Sequence, residues 1–256
     1  MTLESATLPL CSSVIYGPIH SRRYGTSLGI NLLPADLKLC SFDCGYCQYG
    51  RTPPVKPHAA FPTPKEAAGA LREALRVDSA TGKGIDWIMI AGHGEPTLHP
   101  DFAAVTDALL AARDASAPRV PVGILSNGST LRSLRVRAAL HKLDGRFMKW
   151  DAGNAQVFSK LNGANERLWH ETFGGLRLLG DVTLQSMFVS GVIDTTEPGH
   201  VKDWIETVAR IRPKEVQIYT IDRLPADREL LPVSGPELHR IGRELAALTG
   251  IHTSVY

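Results

Sequence analysis

Short apolar runs alternate along the chain with longer stretches in which apolar residues recur every three or four positions. The runs at 26–33 (TSLGINLL), 86–92 (DWIMIAG), 120–127 (VPVGILSN), 147–153 (FMKWDAG), 182–191 (VTLQSMFVSG) and 215–221 (EVQIYTI) read as strands. Between them, 64–75, 103–113, 131–141, 167–179 and 201–211 carry helical spacing, and a closing helix at 235–248 precedes a short strand, HTSVY. Strand then helix, repeated six times, predicts an α/β fold with a parallel sheet and right-handed crossovers. A single barrel-like domain over 1–256, with its core at about 14–254, suits this length. In such a fold the loops after the strands share one mouth, where a site is built. That places at the mouth the loop after the first strand, then His93, Gly94 and Glu95, then Ser126 and Asn127, then Asp151, and finally Tyr219, Asp222 and Arg223.

Composition bounds the setting. With 43% hydrophobic and 21% charged residues the chain is ordinary globular material, and its net charge of +2 points to no polyanionic partner. Arg132, Arg135 and Arg137 recur along a helix and read as a solvated face. No apolar run approaches the ~20 residues needed to span a bilayer, and the N-terminus MTLESATLPLCSSV lacks a basic start and apolar stretch. A cytoplasmic location is expected, where thiols stay reduced and clustered cysteines bind metal more often than they pair.

Three of the four cysteines fall in one loop, LCSFDCGYCQYG, as Cys40, Cys44 and Cys47 in a C-x3-C-x2-C spacing. A structural zinc ion takes four protein ligands, so Cys11 or a histidine would have to complete it. Alternatively, three thiolates on a 4Fe-4S cluster leave one iron open to a cofactor or substrate. His99, His141, His170 and His200 show no ligand spacing, while Trp87, Trp150 and Trp204 read as core.

The cysteine loop, with Tyr46 before its last thiol, and the GHGEPTLHP stretch at 92–100 resemble the signatures of the radical S-adenosylmethionine (radical SAM) superfamily. GPIHSRRYGTSLGIN, WDAG, TLQSMFVSG and EVQIYTIDR are similar to a group related to the wyosine tRNA-base synthases. The resemblance implies a partial (β/α)6-type TIM barrel of parallel strands with the cluster loop after the first strand. It implies that Cys40, Cys44 and Cys47 hold a 4Fe-4S cluster and that SAM occupies the open iron. Gly92, Gly94, Glu95 and Pro96 would meet the methionine amino group; glycine allows such close backbone approach. Ser126, Asn127 and Asp151 would reach carboxylate or ribose, with helix capping as their alternative. Tyr46 and the backbone near Ile218 would flank adenine. His93 stands where the superfamily more often has a small residue, and Cys11 alone cannot hold the second cluster of the wyosine synthases.

The implied activity is that of an oxidoreductase: reductive cleavage of SAM to a 5′-deoxyadenosyl radical, which abstracts hydrogen from a substrate. Arg22 and Arg23 are candidates for a phosphate clamp near the cluster. Gln185, Met187, Gln217, Tyr219 and Arg223 are candidate substrate contacts, and Asp222–Arg223 is an alternative local ion pair. The substrate class is open among tRNA base, peptide and small molecule, and a flavodoxin or ferredoxin-type electron donor is implied. The contrasting reading is a metal-binding or iron–sulfur electron-transfer module without catalysis.

Overall fold

The computed structural model describes residues 7–82 and 84–256; Met1–Ala6, the start of the stretch read above for a signal, lie outside them. The nine strands are β1 (Ile15–Ser21), β2 (Gly25–Ile30), β3 (Trp87–Ile90), β4 (Val122–Ser126), β5 (Gly145–Lys149), β6 (Thr183–Gly191), β7 (Glu215–Thr220), β8 (Leu230–Pro232) and β9 (Thr253–Val255). The sheet runs β1-β2-β3-β4-β5-β6-β7-β9. Neighbours from β2 to β7 are all parallel, and β9 extends β7 in parallel. These six central strands are the six expected from the apolar runs.

Two strands depart from that pattern. β1 pairs antiparallel with β2 across a register shift, and β8 pairs antiparallel with β6. β1 contains Gly17 and Pro18 and is exposed over most of its length, so no apolar alternation marks it. An edge strand of this kind needs little burial and blunts the sheet edge against pairing.

The helices are α1 (Pro64–Thr81), α2 (Phe102–Ser116), α3 (Leu134–Leu140), α4 (Ala155–Asn162), α5 (Glu166–Leu179), α6 (Pro198–Ile211) and α7 (Gly235–Thr249). Their starts follow local chemistry: Thr63 and Glu66 form a reciprocal capping box at α1, while Ser133, Asn154, Asn165 and Ser234 cap α3, α4, α5 and α7.

Strand alternation divides the side chains between two environments. Outward residues such as Ile88, Ile90, Ile124, Leu184, Val216 and Ile218 join the helices in the main core. Each fully buried aliphatic side chain of this kind contributes about 2 kcal/mol. Inward residues fill the barrel. Tyr24, Met89 and Phe147 form a separate apolar cluster with Trp87 against it, and the polar residues Gln185, Gln217, Lys149 and Tyr219 follow toward the strand ends.

Candidate active site

The cysteine loop is braced between the end of β3 and the end of α4. Leu39 makes an isolated parallel bridge with Gly94, and the Glu95 N–H donates to the Leu39 carbonyl at 2.9 Å. A Cβ on Gly94 would stand 1.7 Å from that carbonyl oxygen, and one on Gly92 would stand 2.2 Å from Asn31 Oδ1. The glycines are thus required by close approach of the chain itself. On the other side, Asp43 N–H and Gly45 N–H donate to the carbonyls of Asn162 and Leu161 at 2.9 and 2.8 Å. Buried Lys38 donates to the Gly50 carbonyl at 2.6 Å, which ties the loop's exit to its entry.

Two buried carboxylates flank the loop. Glu95 accepts from Thr97 Oγ1 (2.5 Å), Thr97 N–H (3.1 Å), Ser126 Oγ (2.8 Å) and Asn127 N–H (2.6 Å). Burial raises its pKa against the pull of these donors. Both oxygens are engaged, so the side chain locks the ends of β3 and β4 together. Pro96 opens the 3-10 turn Pro96–Leu98 that this carboxylate caps.

Asp151, after β5, accepts from the Tyr46 hydroxyl, from Asn162 Nδ2 at 2.9 Å and from Met187 N–H at 2.8 Å, and pairs with Lys149 at 2.9 Å. It is no helix cap, since Asn154 caps α4. Ser126 and Asn127 are no helix caps either: they accept from Gly128 N–H and Ser129 N–H in the turn after β4.

Two amides reach two thiols. Asn127 Nδ2 lies 3.6 Å from Cys40 Sγ, and Asn162 Nδ2 lies 3.4 Å from Cys44 Sγ. Each asparagine is held by one of the flanking carboxylates, but differently: Asn162 Nδ2 itself donates to Asp151, whereas Asn127 is anchored to Glu95 through its backbone N–H. Burial, reinforced by negative neighbours, pushes the Cys40 thiol up to about 12 and Cys44 up to about 11. These sulfurs therefore stay protonated at neutral pH unless a metal displaces the proton, and the amide donors are matched to the charged form. Asn162 Oδ1 is buried without a partner.

Among the described residues, no three His, Cys, Asp or Glu side chains close on a single metal ion. A zinc site needs thiolates at about 2.3 Å from one centre, whereas a cluster spreads its ligands over separate irons. Three thiols from one loop, two of them with N–H donors on their sulfurs, fit a 4Fe-4S cluster.

Cys11 lies apart from this set. Its N–H donates to His93 Nδ1 at 3.0 Å, and His93 Nε2 donates to the Pro34 carbonyl at 2.8 Å, so His93 is a buried brace for the N-terminal segment.

On the far wall, Lys149 donates to the Tyr219 hydroxyl at 2.7 Å and lies 4.9 Å from the Tyr46 ring centroid. Burial lowers its pKa, but Asp151 and Tyr219 outweigh that and the net shift is upward. Deeper in the barrel, Tyr24, Gln185 and Gln217 bond to one another at 2.5 to 3.1 Å. This closed triad takes Gln185 and Gln217 out of the set facing the mouth, while Met187 stays beside Tyr219 in register.

Several expectations need correction. The Ile218 side chain points into the helix-facing core and its carbonyl accepts from Tyr256 N–H at 3.0 Å, so any contact there is left to the neighbouring backbone. Asp222 and Arg223 form no local pair: Asp222 meets Arg22 at 3.3 Å, and Arg223 reaches Gln48 at 3.3 Å. Arg22 and Arg23 sit in the β1–β2 turn, at the opposite end of β2 from the cysteine loop, and they part ways there: Arg22 is exposed and pairs with Asp222. Arg23 reaches the barrel interior from the open side.

Lys149, Asn162 and Tyr24 were missed. Lys149 was legible as a charge two residues before Asp151 on the same strand face; nothing local marks Asn162.

No family model matches the chain. Among curated proteins it is 30% identical over 248 residues to one named GTPase Obg from Brachyspira hyodysenteriae, covering 94% of this chain and 35% of that protein. It is 27% identical over 246 residues to UPF0026 protein MJ1312 of Methanocaldococcus jannaschii, covering 93% of this chain and 72% of that one. The chain thus spans about a third of the first relative, and it contains no G-x-x-x-x-G-K-[ST] loop, so the GTPase name is not carried over.

Among solved structures, a radical SAM methyltransferase from Sphaerobacter thermophilus superposes with TM-score 0.67 at 16% identity, over 90% of this chain and 66% of that one. TYW1, a wyosine synthase, solved with a lysine-pyruvate adduct bound, gives 0.61 at 13%, over 86% and 73%. Streptococcus suis SuiB bound to S-adenosylmethionine gives 0.62 at 13%, over 86% and 49%. The class is therefore defined: this chain has the fold of the radical SAM enzymes, wyosine synthase included, as its motifs led us to expect. Within that class, the curated relative that the chain covers over most of its length carries the name UPF0026 protein.

Proposed function

We propose that the protein is a radical SAM enzyme whose Cys40, Cys44 and Cys47 hold a 4Fe-4S cluster and whose mouth binds SAM. The observation that carries this reading is the pair of amide–thiol contacts, Asn127 on Cys40 and Asn162 on Cys44, with Asn127 anchored to Glu95 through its backbone N–H and Asn162 to Asp151 through its side-chain amide. Sulfurs that remained neutral thiols would have little use for a held N–H donor each. When bound, the reduced cluster supplies the electron that cleaves SAM to methionine and a hydrogen-abstracting adenosyl radical.

The chain's own contribution is orientation. Glu95 and the Leu39–Gly94 bridge hold the loop at the strand ends, the Tyr46–Asp151 bond sets one wall, and the apolar Met89–Phe147 cluster seals the barrel below. A sealed, dry interior protects a reactive species from water.

Lys149 serves as a cation. Its pairing with Asp151 and its bond to the Tyr219 hydroxyl favour the charged form. The substrate, whether tRNA base, peptide or small metabolite, enters on the Lys149–Tyr219 side, and a flavodoxin or ferredoxin-type protein delivers electrons at the partly exposed cysteine loop. Among the described residues no helix is long and apolar enough to cross a membrane.

The test is 5′-deoxyadenosine formation from SAM by anaerobically reconstituted, reduced protein. The wild type is expected to form it, and Cys44→Ala is expected to lose it. Wild-type protein carrying a reducible cluster but releasing none would leave the electron-transfer module as the reading.

A further inference from the structure

Among the described residues, the barrel interior contains a cation, Arg23, that makes no ion pair. Arg23 lies in the β1–β2 turn, which carries it across the open side of the barrel to β7. There its guanidinium carbon lies 4.2 Å from the centroid of the Tyr219 ring. Among the described residues the Arg23 side chain makes no ion pair, and its Nη1 is buried without a hydrogen-bond partner. Arg22 next to it, in contrast, faces solvent and is paired with Asp222.

A second cation shares the same ring. Lys149 Nζ lies 4.7 Å from the Tyr219 centroid, with its hydrogen bonds going to Tyr219 and Asp151. Three N–H donors on Lys149 against these two acceptors leave one to spare. Among the described residues, Asp151 is the single carboxylate paired with either cation. Two neighbouring positive groups with one negative partner, partly withdrawn from water, cost free energy that an anion would recover. Cation–π contact with Tyr219 offsets part of that cost but gives the buried Nη1 no acceptor.

We infer that Arg23, Lys149 and Tyr219 form an anion subsite that takes a carboxylate or phosphate group of the substrate. The word substrate rests on the radical SAM reading; the anion site does not. The guanidinium fork offers paired N–H donors to either oxyanion, and Lys149 adds its free N–H. The subsite lies on the β5–β7 wall, with Lys149 between Tyr219 and Tyr46. A molecule anchored there extends past Tyr46 toward the thiols.

The experiment uses the full chain without cluster, so it is independent of SAM chemistry. The unfolding midpoint is recorded in inorganic phosphate and in acetate against chloride at constant ionic strength, for wild type and Arg23→Gln. At least one anion is expected to raise the wild-type midpoint above chloride. That increment is expected to vanish in Arg23→Gln, which in chloride should be no less stable than wild type. The anion that acts identifies the group as phosphate or carboxylate.

Arg23→Lys, which keeps the charge and loses the fork, should need at least five-fold more anion for half the effect. An Arg23→Gln variant that is less stable but keeps the increment would overturn the inference and make Arg23 a brace. So would a wild type that responds to neither anion, or SAM abolishing the response, which would give the site to the methionine carboxylate. Failure of SAM cleavage in the loaded enzyme would sink the proposed function and leave the anion result standing.

Discussion

Glu95 and Asp151 occupy corresponding strand ends, and both are buried, but they are held by different chemistry. Glu95 is surrounded by two hydroxyls and two backbone N–H groups, with no cation paired to it. Asp151 has a phenol, an amide, one backbone N–H and the Lys149 ammonium. The first arrangement is saturated and can only hold β3, β4 and the cysteine loop in register. The second passes through Lys149 and Tyr219 to an unpaired guanidinium, so it retains capacity for a ligand. A buried acid marks a site only when its surroundings leave charge or donors over.

The comparison breaks most severely at Gly94. Adding a methyl group 1.7 Å from the Leu39 oxygen forces the loop off β3; Gly94→Ala should cost on the order of 4 kcal/mol in denaturant unfolding and abolish iron retention on reconstitution. Neutralising the two carboxylates without changing their shape comes next. Asp151→Asn strands the Lys149 ammonium and should cost about 3 kcal/mol, while Glu95→Gln, with no cation to strand, should cost about 1 kcal/mol.

The pH dependence separates the halves further. Lys149 has a folded pKa raised above 10.5, so the stability it contributes is fully present below 10.5 and fades as pH rises through the folded value. The gap between wild type and Asp151→Asn should therefore hold at neutral pH and shrink in strong alkali. Glu95 has a folded pKa raised above 4.5, so its proton-linked contribution is complete below 4.5 and is lost as pH rises through the folded value. Glu95→Gln should thus compare worst with wild type in acid. Equal pH profiles for the two variants would erase the distinction.

A smaller effect is expected at the amides. Removing the Asn162 N–H from Cys44 in Asn162→Leu favours the oxidised cluster, and a tenfold change in the reduction equilibrium, about 59 mV for one electron, should appear as a more negative midpoint in potentiometric titration. The smallest change is Arg22→Ala, which removes a solvent-exposed ion pair and should move stability by about 0.3 kcal/mol.

The central sheet was legible because parallel strands buried on both faces leave apolar runs with turn residues at their ends. The cysteine loop and the glycines after β3 were legible as local patterns. β1 was not, since a half-exposed edge strand with Gly17 and Pro18 leaves no alternation. Asn162 acts on Cys44 from 118 residues away, and Arg23 meets Tyr219 only because the hairpin crosses the barrel's open side. Such contacts come from tertiary closure, which no periodicity encodes. Glu95 was found by its motif, but its bonds to Ser126 and Asn127 at the end of the next strand were not, because they too come from tertiary closure.

The most direct measurement is iron and sulfide content of the anaerobically reconstituted protein, followed by the EPR spectrum of the reduced form with and without SAM. The account predicts four irons per chain on three thiolates and a spectrum altered by SAM at the open iron. Zinc in place of iron, or a cluster signal that SAM leaves unchanged, would contradict it.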